Sequence, residues 1–275
     1  MLLSVICVFK YVNSGKAMYL IISTLLVFLG LLSKESSIPF FIIIPVFLFY
    51  FRPSLFQKNQ LRYIIYVLIP LFSTFFIYVV LRYGVVGFEQ HQENYNLMNN
   101  PFLFANVSDK YATIFYTFLL YLKLLIFPHP LTVDYYPYHI SIVSLTNIYS
   151  ILGIIIFGIF ITGIFTGFFK RKFLSFCLLF FLIAYSVVSN LFINIGVFMS
   201  ERFMYIPSFA YCLFISWLII VFFTKTYLKY WPSQDKFAKN SMKYMFPGLI
   251  ILCMTVFLYS IKIFDRVPDW RNDLT

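Results

Sequence analysis

Hydrophobic residues occur in long, unbroken segments separated by short polar connections. A helix needs about 20 apolar residues to cross a bilayer, with a range near 17–25, whereas the strands of a membrane barrel alternate polar and apolar positions over about ten residues. The unbroken segments therefore predict an all-α, polytopic integral membrane bundle of about eight or nine hydrophobic helices. We place these nine segments at residues 1–12, 17–33, 37–51, 63–81, 111–127, 148–169, 173–189, 204–223 and 244–261.

Composition supports a membrane protein. Of the 275 residues, 61% are hydrophobic and 11% are charged, whereas soluble domains carry about 25% charged residues. The net charge of +11 does not indicate nucleic-acid binding, because basic residues of membrane proteins collect in the loops on one side. The cysteines lack the spacing of metal ligands, and we expect them to be small buried hydrophobic residues. They are Cys7, Cys177, Cys212 and Cys253.

Basic and acidic residues separate into different connections. Nine of the ten acidic residues lie outside four basic clusters, which hold 13 of the 21 basic residues: Lys10/Lys16, Arg52/Lys58/Arg62, Lys170–Lys172 and Lys225/Lys229/Lys236/Lys239/Lys243. Loops rich in Lys and Arg are cytoplasmic in most membrane proteins, so we predict cytoplasmic basic loops and an extracytoplasmic C-terminus.

The four clusters share one side only if one segment fails to cross. We predict that 111–127 is re-entrant or interfacial and ends at the Pro128-His129-Pro130 break. Residues 82–147 would then form one large extracytoplasmic region. The alternative is that a short segment, such as 37–51, does not span.

Ionisable residues at membrane depth are rare and expensive, which makes them candidate functional residues. Lys34-Glu35 and Glu201-Arg202 stand between apolar segments on the acidic side, and an arginine fork matches phosphate oxygens well. Asp134 lies among tyrosines, including Tyr135 and Tyr136, with His129 nearby, a setting that suits a sugar. The structural alternatives are a helix-capping ion pair, a loop-fixing salt bridge and an interfacial aromatic belt.

Motifs for other chemistry are absent. The sequence has no Gly-rich phosphate loop, no HExxH and no nucleophile elbow. From the residues alone, a lipid-phosphate-dependent transferase and a transporter both remain open.

Four runs of sequence resemble one family, the transmembrane and TPR-repeat-containing O-mannosyltransferases and their bacterial relatives, in the GT-C class of polytopic glycosyltransferases. The third run is the most specific, with a Glu-Arg-x-x-Tyr-x-Pro-Ser core at 201–208. The runs are LLSKESSIPF (31–40), LLIFPHPLTVDYY (124–136), SNLFINIGVFMSERFMYIPSFAYCL (189–213) and YSIKIFDRVPDWRNDLT (259–275).

The resemblance implies a GT-C-like enzyme that moves a sugar, mannose or a similar hexose, from a polyprenyl- or dolichyl-phosphate carrier to a protein hydroxyl or a glycan acceptor. Transfer would occur at the extracytoplasmic face of a bacterial inner membrane or the endoplasmic reticulum. The main catalytic carboxylate is expected before Met1 and the TPR repeats after Thr275, so we interpret the chain as a fragment. Residues 1–264 would be its transmembrane domain and 265–275 the lead into the repeats. A divalent metal requirement stays open.

The resemblance also gives roles to the candidate residues. Lys34 and Arg202 would contact the carrier phosphate, and Glu35 and Glu201 would orient them. A sugar or acceptor cleft would be lined by Asp134, Tyr135, Tyr136 and His129. The alternatives are a secondary transporter or flippase, although the inverted repeats typical of transporters are not evident, a non-catalytic remnant, and a polymerase or ligase of lipid-linked glycans.

Overall fold

The computed structural model describes residues 1–56, 61–86, 100–132, 135, 139–230 and 234–270. Within these ranges the chain forms nine α-helices joined by turns and short 3-10 helices, with no extended strand. This confirms the predicted helical bundle. The helices are α1 Leu2–Ser14, α2 Ala17–Ser33, α3 Phe40–Phe51, α4 Leu61–Val86, α5 Val107–Ile126, α6 Ile148–Phe168, α7 Phe173–Ser186, α8 Tyr205–Tyr230 and α9 Gln234–Arg266.

The predicted apolar segments and the observed helices largely coincide. The main difference is at the connection between α8 and α9, where the helices extend to Tyr230 and from Gln234, well inside the predicted lysine-rich loop. Lysine and glutamine are good helix formers, so the helices continue after hydropathy has fallen. Segment hydropathy marks where a helix enters lipid, and the backbone can remain helical beyond that point.

Four helical stretches in the described part of the chain are long and apolar enough to cross a membrane: Arg62–Val85, Ile148–Phe168, Glu201–Phe222 and Phe246–Asp265. Their outer surfaces are strongly apolar, as shown by Phe76, Phe165 and Met254, which are 69%, 72% and 63% exposed. Soluble monomers rarely expose apolar patches of this extent. The bundle therefore has the surface of an integral membrane protein.

One end of the bundle, which we call the basic end, gathers three of the four basic clusters. The guanidinium of Arg52 lies 4.8 Å from the centre of the Phe9 ring, and that of Arg171 lies 4.7 Å from the centre of the Phe49 ring. Phe49 in turn stacks on Phe168 with ring centres 4.8 Å apart. The loops after α1, α3 and α6 therefore lie together, as the charge pattern predicts. Which compartment this end faces stays a prediction.

The opposite end, the site end, is where α2, α4 and α7 finish and α3, α6 and α8 begin. Helix α9 also returns to it, because α8 runs away from it and only three residues separate α8 from α9.

Helix α5 does not run the length of the bundle. The hydroxyl of Ser150 donates to the carbonyl oxygen of Ala112 at 2.9 Å, and Phe118 packs on Phe160 with ring centres 5.8 Å apart. Helices α5 and α6 therefore start side by side and run in the same direction. The last turn of α5 accepts hydrogen bonds from the Tyr259 hydroxyl, at 3.0 Å for Ile126, within about two turns of the end of α9.

The start of α5 thus lies at the site end, its last turn lies beside α9 about two turns short of that end, and the connection from 127 to 147 leads back to where α6 begins. Because α5 is one uninterrupted helix ending before Pro128, it is not a hairpin within itself. An interfacial or inclined position for the 111–127 segment fits this geometry, and its depth in a bilayer stays a prediction.

The expectation for the cysteines is half right. All four are free, and Cys7 and Cys177 are buried, but Cys212 and Cys253 are exposed. The prediction was wrong for these two because α8 and α9 leave much of their surface without a protein neighbour, and an apolar thiol needs no protein cover where lipid surrounds it. The division into domains at 264 and 265 stays a prediction.

Candidate functional site

A cavity of about 800 Å³ opens at the site end. Its walls come from the connection between α2 and α3, the last turns of α4 and the connection between α7 and α8. The polar side chains along it belong to Ser33, Lys34, Glu35, Ser36, Tyr78, Arg82 and Asn194. Two of the eight residues predicted from the sequence, Lys34 and Glu35, thus line one cavity.

Lys34 and Glu35 owe their position to a sharp turn after α2. Lys34 is extended, with φ −160°, and Glu35 begins a 3-10 turn. The buried Ser37 hydroxyl donates to the Gly30 carbonyl at 3.0 Å, and the same oxygen accepts from the Lys34 N–H at 3.0 Å, so Ser37 ties the turn to the end of α2. Pro39 directly precedes α3, where its fixed φ suits a helix start. The chain reverses direction here and leaves both charged side chains at the cavity.

Arg82 is a site residue that the sequence analysis missed. It forms an ion pair with Glu35, and its Nη1 also donates to the Tyr78 hydroxyl at 2.9 Å. Glu35 therefore has a partner that the sequence did not suggest. A signal was present, because Arg82 is an isolated cation on the acidic side, at the end of an apolar segment.

Glu201 and Arg202 lie in the 3-10 turn Glu201–Met204 that precedes α8. Glu201 accepts a hydrogen bond from the backbone N–H of Thr132 at 2.7 Å, and it thereby ties the start of α8 to the α5–α6 connection. The guanidinium of Arg202 lies 5.6 Å from the centre of the Phe203 ring. Phe203 lines the cavity and Arg202 does not, so Arg202 stands at the border of the site.

The connection between α7 and α8 is shaped by Asn190. Its side-chain amide donates to the carbonyls of Val197 and Phe198 at 2.8 and 3.2 Å, and its Oδ1 accepts from the Ile195 N–H at 2.9 Å. Asn194, held within this loop, donates to Asn100 Oδ1 at 2.7 Å. The loop thereby closes one side of the cavity.

Tyr121 anchors the other end of the same connection. Its hydroxyl accepts from the Ser200 N–H at 2.8 Å and lies 3.2 Å from the Ser200 carbonyl oxygen as a donor. The Tyr121 side chain is almost fully buried, so α5 fixes the residue directly before Glu201. Sequence reasoning did not single out Tyr121, since a tyrosine in an apolar segment carries no distinctive signal.

The predicted sugar or acceptor cleft is only partly described. Asp134 and Tyr136 lie outside the described residues. Tyr135 is 8% exposed and packs edge-on against His139 with ring centres 5.2 Å apart, and His129 packs against Phe127 at 6.1 Å. Neither Tyr135 nor His129 lines the cavity. The hydrogen bond from Thr132 to Glu201 links their loop to the start of α8.

The charges at the cavity favour a small anion attached to an apolar group. Lys34 and Arg82 against Glu35 leave one net positive charge. Leu31, Leu81, Val85, Val188 and Ile195 supply apolar walls beside these charges. Elsewhere in the described part of the chain, no group of three His, Cys, Asp or Glu side chains is arranged to hold a metal ion.

Comparison with known proteins gives one distant relative. No family model matches the chain, and no solved structure matches it. A Caenorhabditis elegans protein described as "Protein O-mannosyl-transferase" is 29% identical over 205 residues, which cover 71% of this chain and 25% of the relative. The aligned part of the chain thus spans about a quarter of the curated relative it matches. This partial similarity supports a relationship to the O-mannosyltransferases in general.

Proposed function

We propose that this chain is the membrane-embedded part of a GT-C-like glycosyltransferase. It would move mannose or a similar hexose from a polyprenyl- or dolichyl-phosphate carrier to a protein hydroxyl or another acceptor. The observation that carries the proposal is the cavity at the site end, where cations and apolar walls meet. The similarity to a protein described as an O-mannosyltransferase supports the reaction class.

The donor fits the cavity by charge and polarity. A polyprenyl phosphate sugar has a phosphodiester with one negative charge, which matches the net charge left by Lys34, Arg82 and Glu35. Its hydrocarbon tail would lie against apolar walls such as Leu81 and Val85 and continue into lipid. Serine hydroxyls and the Asn194 amide offer hydrogen bonds to the polar head.

In the proposed reaction, the acceptor hydroxyl oxygen forms a bond to the anomeric carbon of the sugar. The bond from that carbon to the phosphate oxygen breaks, and the polyprenyl phosphate leaves with the electron pair. Negative charge on the leaving phosphate rises, so a cation beside it stabilises the transition state more than the ground state. Lys34 in the cavity and Arg202 at its border are the cations we propose for this role. We assign no residue of this chain as the base that takes the acceptor proton.

The charge distribution supports an orientation for this reaction. The basic end would face the cytoplasm by the preference of Lys and Arg for that side. The cavity would then face the extracytoplasmic compartment together with the C-terminus. The carrier's sugar would be presented there, at the level of the lipid head groups.

The first prediction concerns Lys34 in the full-length protein, measured in membranes as hexosyl transfer from a polyprenyl phosphate sugar to a hydroxyl peptide. We expect Lys34→Met to lower kcat/KM about 10- to 100-fold, because a hydrogen bond to a charged group contributes about 1.5–3 kcal/mol. Lys170→Met, an exposed lysine at the basic end, is the matched control and should retain activity.

Equal activity of Lys34→Met and the unmodified protein would remove Lys34 from the donor site. Equal losses in both variants would point to a general effect of charge on insertion. A wild-type protein that moves the carrier across the bilayer without transferring sugar would favour the flippase alternative.

A further inference from the structure

The ion pair between Glu35 and Arg82 bridges two separate parts of the cavity wall. Glu35 stands on the turn after α2, and Arg82 stands one turn before the end of α4, 47 residues later in the chain. Both side chains line the cavity and are about half exposed, at 55% and 45%. The pair is therefore accessible to a ligand in the cavity.

We propose that Arg82 is a ligand of the donor phosphate, and that Glu35 is a placeholder carboxylate which the phosphate displaces on binding. This inference rests on the proposed function for the identity of the donor. The ligand chemistry itself is a phosphate ester on a hydrocarbon chain.

The exposure of the pair makes the exchange inexpensive. Ion pairs between exposed side chains contribute little to stability, because water screens them and the side chains lose freedom in forming them. Glu35 lies in a three-residue 3-10 turn, and its side chain is about half exposed, which leaves room for it to turn outward. A carboxylate and a phosphate both accept two parallel hydrogen bonds from an arginine fork, so one anion replaces the other without moving Arg82.

Tyr78 keeps Arg82 in position during this exchange. Tyr78 lies one helical turn before Arg82 and is 7% exposed, and its hydroxyl accepts from Arg82 Nη1. The guanidinium has five N–H donors, so this bond leaves others for the ligand. When Glu35 turns out, Arg82 stays oriented towards the cavity.

Displacement of Glu35 also raises the positive charge at the cavity before the leaving group forms. With Glu35 turned away, Lys34 and Arg82 present two positive charges. The phosphodiester donor carries one negative charge, and the leaving polyprenyl phosphate carries up to two. The open site therefore matches the leaving group better than the donor, which is the direction of difference that accelerates a reaction.

The test measures binding of farnesyl phosphate to the purified full-length protein in nanodiscs, with farnesol as the probe that lacks phosphate. We expect Arg82→Gln to weaken farnesyl phosphate binding about 10- to 100-fold and Glu35→Gln to tighten it several-fold. Arg62→Gln is the matched control, since Arg62 is an exposed arginine at the other end of the same helix, and should leave the affinity unchanged. Farnesol binding should not differ among the variants.

Unchanged affinity in Arg82→Gln, or an equal weakening by Glu35→Gln and Arg82→Gln, would overturn the placeholder role. If Arg82→Gln does not fold, Arg82→Lys keeps the charge without the fork and should weaken binding by an intermediate amount. Unchanged affinity of Arg82→Lys would then overturn the proposal. If the wild-type protein transfers sugar from no donor while the variants bind farnesyl phosphate as expected, the glycosyltransferase proposal is refuted and the phosphate site stands.

Discussion

At the scale of single residues, Asn190 shows how one side chain shapes the site. It has φ +59°, in the left-handed region that asparagine tolerates better than most residues. Its three hydrogen bonds to Ile195, Val197 and Phe198 hold the α7–α8 connection closed. The Ser-Asn-Leu start of the most family-like run therefore has a structural role, which is to place Asn194 and Phe203 at the cavity.

Asn190→Ala should destabilise the protein by about 2 kcal/mol or more, because buried carbonyls lose their partner and alanine is strained at this φ. Asn190→Gly loses the same hydrogen bonds without the strain, so it should be less destabilising. The measurement is the thermal unfolding midpoint of the purified protein in detergent. A midpoint for Asn190→Ala equal to that of the wild type would show that the loop does not depend on these bonds.

At the scale of elements, α5 and α6 approach each other closely at Gly153. A Cβ atom added at Gly153 would overlap the carbonyl oxygen of Phe115 and lie 2.8 Å from its carbonyl carbon. These two atoms belong to the Phe115 backbone, which cannot move aside as the end of a flexible side chain could. Gly153 therefore allows the approach that sets α5 beside the start of α6, and α5 in turn holds Ser200 through Tyr121.

Gly153→Ala should destabilise the bundle by about 1–3 kcal/mol, the usual cost of adding a methyl group to a packed interface. Gly158→Ala is the matched control on the same helix, since nothing lies within 4 Å of its added Cβ, and alanine there should be neutral or stabilising. Unfolding midpoints of the two variants in detergent give the comparison. Equal midpoints would mean that α5 and α6 are not in backbone contact.

The helices were predictable from the sequence because lipid imposes a simple rule: an apolar segment must satisfy its own backbone hydrogen bonds. Lys34 could be chosen as a candidate site residue from the sequence because a charge between apolar segments is rare. The pairing of Glu35 with Arg82 was not, since it depends on how α4 packs against the turn after α2. The exposure of Cys212 and Cys253 was missed for the same reason, because hydropathy does not say which helix face has a neighbour.

At the scale of the whole molecule, three of the basic clusters lie at one end of the bundle and the cavity lies at the other. The Arg52 and Arg171 contacts bring the loops after α3 and α6 together, and the cavity with Lys34 and Arg82 lies at the other end of the same helices. Helix α5 is compatible with this arrangement only if it does not carry the chain to the basic end. Its contacts near Tyr259 and Ser150 support that.

The position of α5 leads to the last prediction, which uses single cysteines in a version of the protein without its other cysteines. Ser33→Cys and Phe127→Cys should react with a membrane-impermeant maleimide from one side of sealed vesicles, and Lys170→Cys only from the other. These three positions are exposed and lie at or next to helix ends, where we expect a thiol to reach water. Phe127 ends the helix that starts at Val107, and its labelling from the Lys170 side would show that α5 crosses the bilayer. The basic clusters would then divide between two compartments, contrary to the contacts that bring them together.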